Sequence, residues 1–263
     1  MLLRAAVIFA FALPGYVLAQ DVTPPADSAL VGIIARGRML AEYDRAAWHA
    51  SDAMLARWRN PSGLEGYLAI RNALGRWTVL FGRLSAASDS LLILATAEQQ
   101  DTPERFAVTL HSPPRLGPDD ARRAFVALRT VGEDLGANPR PHQGPYNSYV
   151  LPRPDGGWWV YFLPAQTRPN EYPHGGDFRY EVSADGRTIE AKVQMHNTVL
   201  VSQVPADAAS GWHTVVTADL PQDSDVFLVL TRKPAKPEMV VTEHFQYEIR
   251  VDGSITWQRA PRR

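Results

Sequence analysis

The segment FRYEVSADGRTIEAKVQM, residues 178–195, contains the pattern that decides the predicted fold class. Apolar and polar residues alternate on both sides of the turn pair Asp185-Gly186, which is typical of a β-hairpin. We expect Phe178 and Tyr180 on its buried face and the charged residues between them on a solvated face. One solvated face favours an antiparallel sheet, because parallel sheets are normally covered on both faces.

Two helical patterns precede strands of this kind. The first begins after Pro24-Pro25 and ends at residues 60–63; the second begins at Pro118 or Asp119 and ends at residues 136–139. Each has an apolar residue at every third or fourth position, which predicts one buried face. The first stripe comprises Leu30, Ile33, Gly37, Leu40, Tyr43, Ala47, Ala50, Met54 and Trp58, and the second comprises Ala121, Ala124, Phe125, Leu128, Val131 and Leu135. Gly37 is expected either to bend its helix or to allow another element to approach closely.

Four strand patterns follow each helix. They occupy residues 67–70, 77–82, 91–97 and 106–110 after the first helix, and residues 146–151, 158–163, 178–182 and 188–195 after the second. The sequence therefore predicts an α+β fold of two helix-plus-antiparallel-sheet units, residues 20–117 and 118–263. The second unit ends in a C-terminal β extension, with strands expected at 214–218, 226–231, 240–251 and 255–257.

The two units share a short sequence match. The segment GRWTVLF at residues 75–81 and the segment GGWWVYF at residues 156–162 have Gly, Trp, Val and Phe in the same order and spacing. An internal duplication would explain the match; the alternative is that any strand after a glycine turn has this pattern. One helix followed by an antiparallel meander resembles the general shape of cystatin-like folds, and this likeness of shape implies no function.

Residues 1–19 have the pattern of a secretion signal. Arg4 supplies the positive charge, and residues 5–11 open an apolar run that Pro14-Gly15 interrupts. Val17-Leu18-Ala19 then places small or apolar residues at positions −3 and −1, and cleavage is expected before Gln20. A membrane anchor is the alternative, but it needs about 20 continuous apolar residues. We therefore expect a periplasmic or secreted protein, with no membrane span after the signal is removed.

Composition excludes several classes of site and partner. The chain has no cysteine, so disulfides, thiol nucleophiles, iron–sulfur clusters and cysteine-based zinc sites are ruled out. Stability must come from the hydrophobic core that 45% apolar residues can form. The formal net charge is −1, which gives no reason to expect a nucleic-acid partner. The expected partners are a protein, a peptide or a small-molecule ligand in the cell envelope, without a cofactor.

A long loop beside an aromatic strand is the candidate binding surface. Residues 164–177 are long for a connection between strands, and long loops are often functional. Trp158 and Trp159 must point to opposite faces of their strand, so one of them is available for contact unless a second layer, such as the first helix, covers that face. The candidate binding residues are Trp158, Trp159, Tyr161, Arg168, Asn170 and Tyr172.

Histidine is the residue type best suited to metal binding or acid–base chemistry here. Five of the histidines lie in the second half of the chain, namely His142, His174, His196, His213 and His244. No pair has a spacing that places two ligands on one face of a helix or strand. These spacings therefore assign no metal ligand and favour scattered loop or surface histidines.

The leading functional hypothesis is a non-enzymatic binding or interaction module. No G-x-S-x-G, phosphate-binding loop or H-E-x-x-H motif is present. The enzyme alternative is a hydrolase, metal-assisted or acid–base, with His174, Asp177 and His244 as its candidate catalytic residues. The enzyme predicts a concave pocket in which two or more of five residues converge within hydrogen-bonding distance, namely His142, His174, Asp177, Glu243 and His244. A third hypothesis is an envelope structural protein that pairs with a partner through an exposed sheet edge.

Overall fold

The computed structural model describes residues 22–202 and 207–261, so the predicted signal sequence lies outside the described residues. Within them the chain is an α+β protein, as predicted. The helices are α1 (Asp27–Arg57), α2 (Asp119–Ala137) and α3 (Asp223–Thr231). The strands are β1 (Gly66–Arg71), β2 (Trp77–Leu84), β3 (Leu91–Gln99), β4 (Phe106–Leu116), β5 (Tyr146–Pro152), β6 (Trp158–Pro164), β7 (Tyr172–Gly175), β8 (Phe178–Val182), β9 (Ile189–Gln194), β10 (Val199–Ser202), β11 (Gly211–Thr214), β12 (Glu238–Val241), β13 (Phe245–Ile249) and β14 (Ile255–Arg259).

The described strands form four sheets. Sheet A has the order β1-β2-β3-β4, sheet B the order β5-β6-β8-β9, sheet C the order β10-β7, and sheet D the order β11-β12-β13-β14. Neighbouring strands are antiparallel except β11 and β12, which are parallel. The hairpin that decided the fold class is β8–β9, and Phe178 and Tyr180 are buried on one face of it as expected.

Sheets A and B are covered by α1 on one face and by α2 on the other. The alternation along β6 demonstrates this, because Tyr161 belongs to the core beneath α1 while Val160 belongs to the core beneath α2. The two sheets adjoin where the Tyr67 hydroxyl donates to the Ser148 carbonyl over 3.4 Å. Both cores therefore contain residues from each of the two predicted units.

The two predicted units have corresponding elements. Each contains one long helix and a four-stranded antiparallel sheet, and the matched segments lie on β2 and β6, the second strand of sheet A and of sheet B. The internal duplication and the division at residues 117 and 118 stay predictions.

Helix α1 also supports a third core through close contact with α3. A Cβ atom at Gly37 would lie 2.5 Å from Cβ of Val226 and 2.7 Å from the Asp223 carbonyl oxygen, so only glycine permits this approach. Beside the contact, Nε and Nη2 of Arg36 each donate to the Asp223 carboxylate over 2.9 Å. The expected close approach at Gly37 is confirmed, and it holds α3 in the position from which the site below is built.

The predicted strand at 226–231 was wrong, because these residues form most of α3. They are apolar almost throughout, and a short apolar run that is buried on several sides has no periodicity to distinguish a helix from a strand. The predicted strand at 214–218 lies instead at Gly211–Thr214, and the predicted long strand at 240–251 is divided into β12 and β13.

Among the described helices, none combines the length and apolar character that crossing a membrane requires.

Candidate metal centre

Four buried side chains direct potential metal-ligating atoms at one another. Nε2 of His174, His196 and His213 lies 3.0, 3.2 and 3.1 Å, respectively, from Oδ1 of Asp225. Nε2 of His174 is also 3.4 Å from Nε2 of His213. The three histidines expose 7%, 7% and 4% of their surface, and Asp225 exposes none. The cluster is therefore enclosed by protein on most sides.

The glycine pair Gly175-Gly176, at the end of β7, determines the positions of the proposed ligand His174 and of the supporting carboxylate Asp177. Gly175 and Gly176 both have positive φ, 84° and 66°, and turn the chain from β7 into β8. A Cβ atom at Gly175 would lie 2.2 Å from the Thr198 carbonyl oxygen, so the turn passes directly against the loop that follows β9. This contact brings His174, at the end of β7, close to His196 in that loop.

The other two ligands come from β11 and α3. Residues alternate along β11, so His213 is buried while Trp212, its neighbour, is 72% exposed. Asp225 lies in the first turn of α3, where its Oδ2 accepts the backbone N–H of Gln222 at 2.6 Å. A carboxylate in this position caps the helix and is favoured by the helix dipole. Oδ1 then faces the three imidazoles.

Two further carboxylates orient the histidine rings. Nδ1 of His196 lies 2.9 Å from Oδ1 of Asp177, and Nδ1 of His213 lies 2.9 Å from Oε1 of Glu238. Because a carboxylate only accepts, both Nδ1 atoms donate and both Nε2 atoms face the cluster. Nη1 of Arg232 donates to the other oxygen of Glu238 over 2.5 Å. Carboxylate–histidine pairs of this kind surround metal ions in proteins.

Charge and burial perturb every ionisable group of the cluster. Burial lowers the pKa of His196, but the negative charges of Asp225 and Asp177 outweigh it and raise that pKa to about 11. Burial likewise lowers the pKa of His213, and its hydrogen bonds to Asp225 and Glu238 raise it to about 9. Burial would raise the pKa of Asp225, yet the charge of His196 and the imidazole contacts hold it well below its ordinary value. Three carboxylates thus require compensating positive charge here.

Two clefts reach the cluster from different directions. A cleft of about 360 Å³ is lined by all three of the clustered histidines together with Asn197, Thr198, Leu200, Thr214, Val215, Val216 and Thr217. A second cleft, of about 410 Å³, is bordered by residues of α1, α3 and β5, and His174 is the one ligand that lines it. Asp225 lines neither cleft.

The structure brings together some of the histidines and acids that the sequence analysis named. His174 and Asp177 meet at His196, whose ring centroid is 4.7 Å from that of His174. His244 lies apart and contacts Asp219, with Nδ1 2.6 Å from Oδ2. His142 packs edge-on against Tyr146, and Glu243 is exposed beside His244.

The candidate aromatic residues lie mainly inside the protein. Tyr161 is fully buried, and its hydroxyl donates to Asp223 over 2.8 Å. Trp159 is partly buried beneath the guanidinium of Arg36, and Trp158 packs on the opposite face against the α2 core. Helix α1 therefore covers the face that carries Trp159 and Tyr161.

The remaining candidate binding residues differ in exposure, and the predicted loop at 164–177 contains strand β7, which begins at Tyr172. Arg168 and Asn170 are exposed, and Nη1 of Arg168 lies 3.5 Å from Oε2 of Glu171. Tyr172 is partly buried and lines the larger cleft beside His174. Binding at these residues stays a prediction.

From the sequence, His196 and His213 are candidates only as members of the group of five histidines. Asp225 and Glu238 are not among the candidates at all. The one local signal for Asp225 is its position three residues after Gln222, where it closes a helix cap. The signal is weak because the residues that follow Asp225, at 226–231, have no helical period and match a strand pattern equally well.

Comparisons with known proteins show no family for this chain. No family model matches it, and no curated protein matches it either. A solved structure of a protein of unknown function from Dyadobacter fermentans shows a weak similarity, with 11% identity, a TM-score of 0.16, and coverage of 70% of this chain and 33% of that one. The chain spans about a third of the length of that protein, and a similarity this weak carries no argument about fold or function.

Proposed function

We propose that this chain binds one divalent transition-metal ion, with zinc as the expected ion. The ligands are Nε2 of His174, His196 and His213 and Oδ1 of Asp225. Imidazole nitrogen with one carboxylate oxygen is a donor set that suits zinc and its neighbours in the first transition row. The proposal keeps the leading class from the sequence, a binding protein, and takes the ion as its ligand.

The spacing of the four donor atoms supports this coordination. Four ligands at about 2.0–2.1 Å from a tetrahedral zinc ion lie about 3.3 Å from one another. Four of the six distances between the donor atoms are 3.0, 3.1, 3.2 and 3.4 Å, and all four atoms lie within 4.8 Å of one another. Movements of the side chains alone can bring donor atoms this close together around one ion.

Hydrogen bonding alone does not satisfy the cluster, and this observation carries the proposal. One carboxylate oxygen offers about two lone-pair sites, but three imidazole Nε2 atoms face Oδ1 of Asp225. Nε2 of His196 is the atom left without a hydrogen bond of acceptable geometry, although it lies 3.2 Å from that oxygen. An unpaired polar atom this deeply buried is costly, and a shared metal ion would satisfy all three rings.

The charges of the surrounding groups favour a divalent ion. Asp225, Asp177 and Glu238 supply three negative charges, and Arg232 supplies one positive charge. In the metal-free protein the raised pKa values of His196 and His213 allow protonated imidazoles to supply the balancing charge. A bound metal ion displaces those protons, and the sum with neutral imidazoles is then −2, which a divalent cation neutralises. A buried group of side chains is most stable when its charges are paired in this way.

The test is a zinc titration of the chelator-treated full chain, monitored by calorimetry. Metal analysis after dialysis then measures how much zinc the protein retains. We expect one zinc ion per chain, and at least a 100-fold weaker affinity in His196→Ala. His244→Ala is the matched control, because His244 lies outside the cluster, and its affinity should equal that of the wild type. Wild-type protein that retains no zinc, or equal losses in both variants, would contradict the proposal.

We also propose that the protein is exported and acts in the periplasm or outside the cell. The support is the sequence of residues 1–19, with its charged start, its apolar run and the small or apolar residues Val17 and Ala19 at positions −3 and −1 before Gln20. N-terminal sequencing of protein from the periplasmic or medium fraction tests this, with Gln20 as the expected first residue. A mature chain that retains Met1 in the cell interior would overturn it.

A further inference from the structure

The smaller cleft approaches the metal centre from a single, defined side. All three histidine ligands line this cleft of about 360 Å³, whereas Asp225 does not. Asp225 is completely buried behind the histidines, on the first turn of α3. The three imidazoles therefore form the face of the ligand set that is nearest the cleft, with Nε2 of His196 itself shielded from solvent in the metal-free protein.

From this arrangement we infer that the metal ion keeps an open coordination position on the cleft side, opposite Asp225, which takes a water molecule or a small monoanion. The inference rests on the proposed metal binding and goes beyond it. A structural zinc site is closed by its four protein ligands, whereas a catalytic site has a position for water or substrate and can expand to five ligands. The face of three histidines is where a fifth ligand would enter.

The lining of the cleft determines which ligands it would accept. Apart from the histidines, its side chains are uncharged and combine hydroxyl or amide groups, at Asn197, Thr198, Thr214 and Thr217, with aliphatic groups. Counting only the coordination sphere, a divalent ion with three neutral imidazoles and one carboxylate carries one net positive charge. Asp177, Glu238 and Arg232, which complete the charge balance of the whole site, do not line this cleft. The cleft offers no carboxylate to compete for that charge, so a hydroxide ion or another small monoanion matches it.

This position would give the protein the chemistry that the sequence-based hydrolase alternative requires. A zinc ion with an exchangeable ligand lowers the pKa of a bound water molecule to about 7. The larger cleft is a less suitable route for a water molecule or anion to reach the ion. Among the four proposed metal ligands, His174 is the one that lines it. The smaller cleft is therefore the expected entry route.

Cobalt(II) with azide as the added anion provides the test. The full chain is loaded with one equivalent of cobalt, and its visible absorption is followed during an azide titration, with metal analysis after dialysis. We expect a saturable spectral change without loss of cobalt. Thr214→Trp, which fills the cleft, should weaken azide binding at least 10-fold while cobalt remains bound. Thr109→Trp, an exposed threonine on β4, is the control and should bind azide as the wild type does.

The possible results separate the two proposals. Stoichiometric cobalt with no spectral response to azide would overturn the open position and leave metal binding intact. Equal azide affinity in Thr214→Trp and wild type would overturn the cleft as the route of entry. Failure to bind cobalt or zinc would refute the metal proposal itself. If Thr214→Trp does not fold, Val216→Trp, at a second exposed position of the cleft, replaces it.

Discussion

Nδ1 of His196 lies 2.9 Å from Oδ1 of Asp177, so the carboxylate holds the ring with its other nitrogen toward Asp225. The pair joins the loop after β9 to the turn after β7, and a backbone hydrogen bond from Met195 to Asp177 over 3.0 Å joins the same segments. Asp177 is thus the residue through which the fold sets the direction of one proposed ligand.

Asp177→Asn should weaken zinc binding by about 10- to 100-fold without abolishing it. The amide retains an acceptor for Nδ1 but removes the negative charge that strengthens the imidazole as a ligand. A competition titration against a chromophoric chelator measures the change. Asp101→Asn, in the exposed turn between β3 and β4, is the control and should bind zinc as the wild type does. Unchanged affinity in Asp177→Asn would contradict a supporting role.

Arg232→Met should lower the free energy of unfolding by about 3–5 kcal/mol. Arg232 is 2% exposed and pairs with buried Glu238, so its removal leaves a buried carboxylate with one of its two cationic partners, the other being His213, missing. Urea denaturation of the chelator-treated protein measures the change, and the double variant Arg232→Met with Glu238→Gln should recover part of the loss.

Arg153→Met is the matched control for this prediction. Arg153 pairs with Asp155 and Glu190, which are about half exposed. Exposed ion pairs contribute about 1 kcal/mol at most. Equal losses in Arg232→Met and Arg153→Met would show that the Arg232–Glu238 pair has no special importance.

Gly37→Ala and Gly132→Ala should change stability in opposite directions. Alanine is favoured over glycine in a helix by about 1 kcal/mol, and a Cβ at Gly132 on α2 meets nothing within 4 Å, so this variant should be more stable. At Gly37 the added Cβ collides with α3, and overpacking of this kind costs about 1–3 kcal/mol. Thermal unfolding of both variants measures the difference. Stabilisation by Gly37→Ala would refute the tight α1–α3 contact.

The ion pair of Asp134 with Lys192 should make stability depend on pH in the acid range. The hydrogen bond from Lys192, with a further one from Tyr180, lowers the pKa of Asp134 in the folded protein. Since the folded pKa is below the unfolded value, the stabilisation is present above the unfolded pKa of about 4 and is lost as pH falls through the folded pKa.

The comparison of wild type with Asp134→Asn tests this dependence. The wild type should be more stable at pH 7, by about 1 kcal/mol or less because the pair is partly exposed. The difference should shrink steadily below pH 4, as denaturation curves at several pH values would reveal. A difference that stays constant down to pH 2 would contradict the assignment.

Local patterns were sufficient to predict most of the secondary structure. The alternation in residues 178–195 predicted the β8–β9 hairpin, and the apolar stripes predicted α1 and α2, because each pattern matches the period of one backbone conformation. Helix α3 was missed for the converse reason. It is buried on several sides, so its residues between 226 and 231 lack the polar positions that would reveal a helical period.

Patterns along the chain were enough to establish the α+β class, the order of the two long helices and their strands, and the exclusion of cysteine chemistry. The candidate site, in contrast, arises from tertiary packing. His174, His196, His213 and Asp225 come from β7, a loop, β11 and α3, and no spacing along the chain relates them. The physical reason is that local patterns report which face of an element is buried, whereas the meeting of four side chains depends on how separate elements pack against one another.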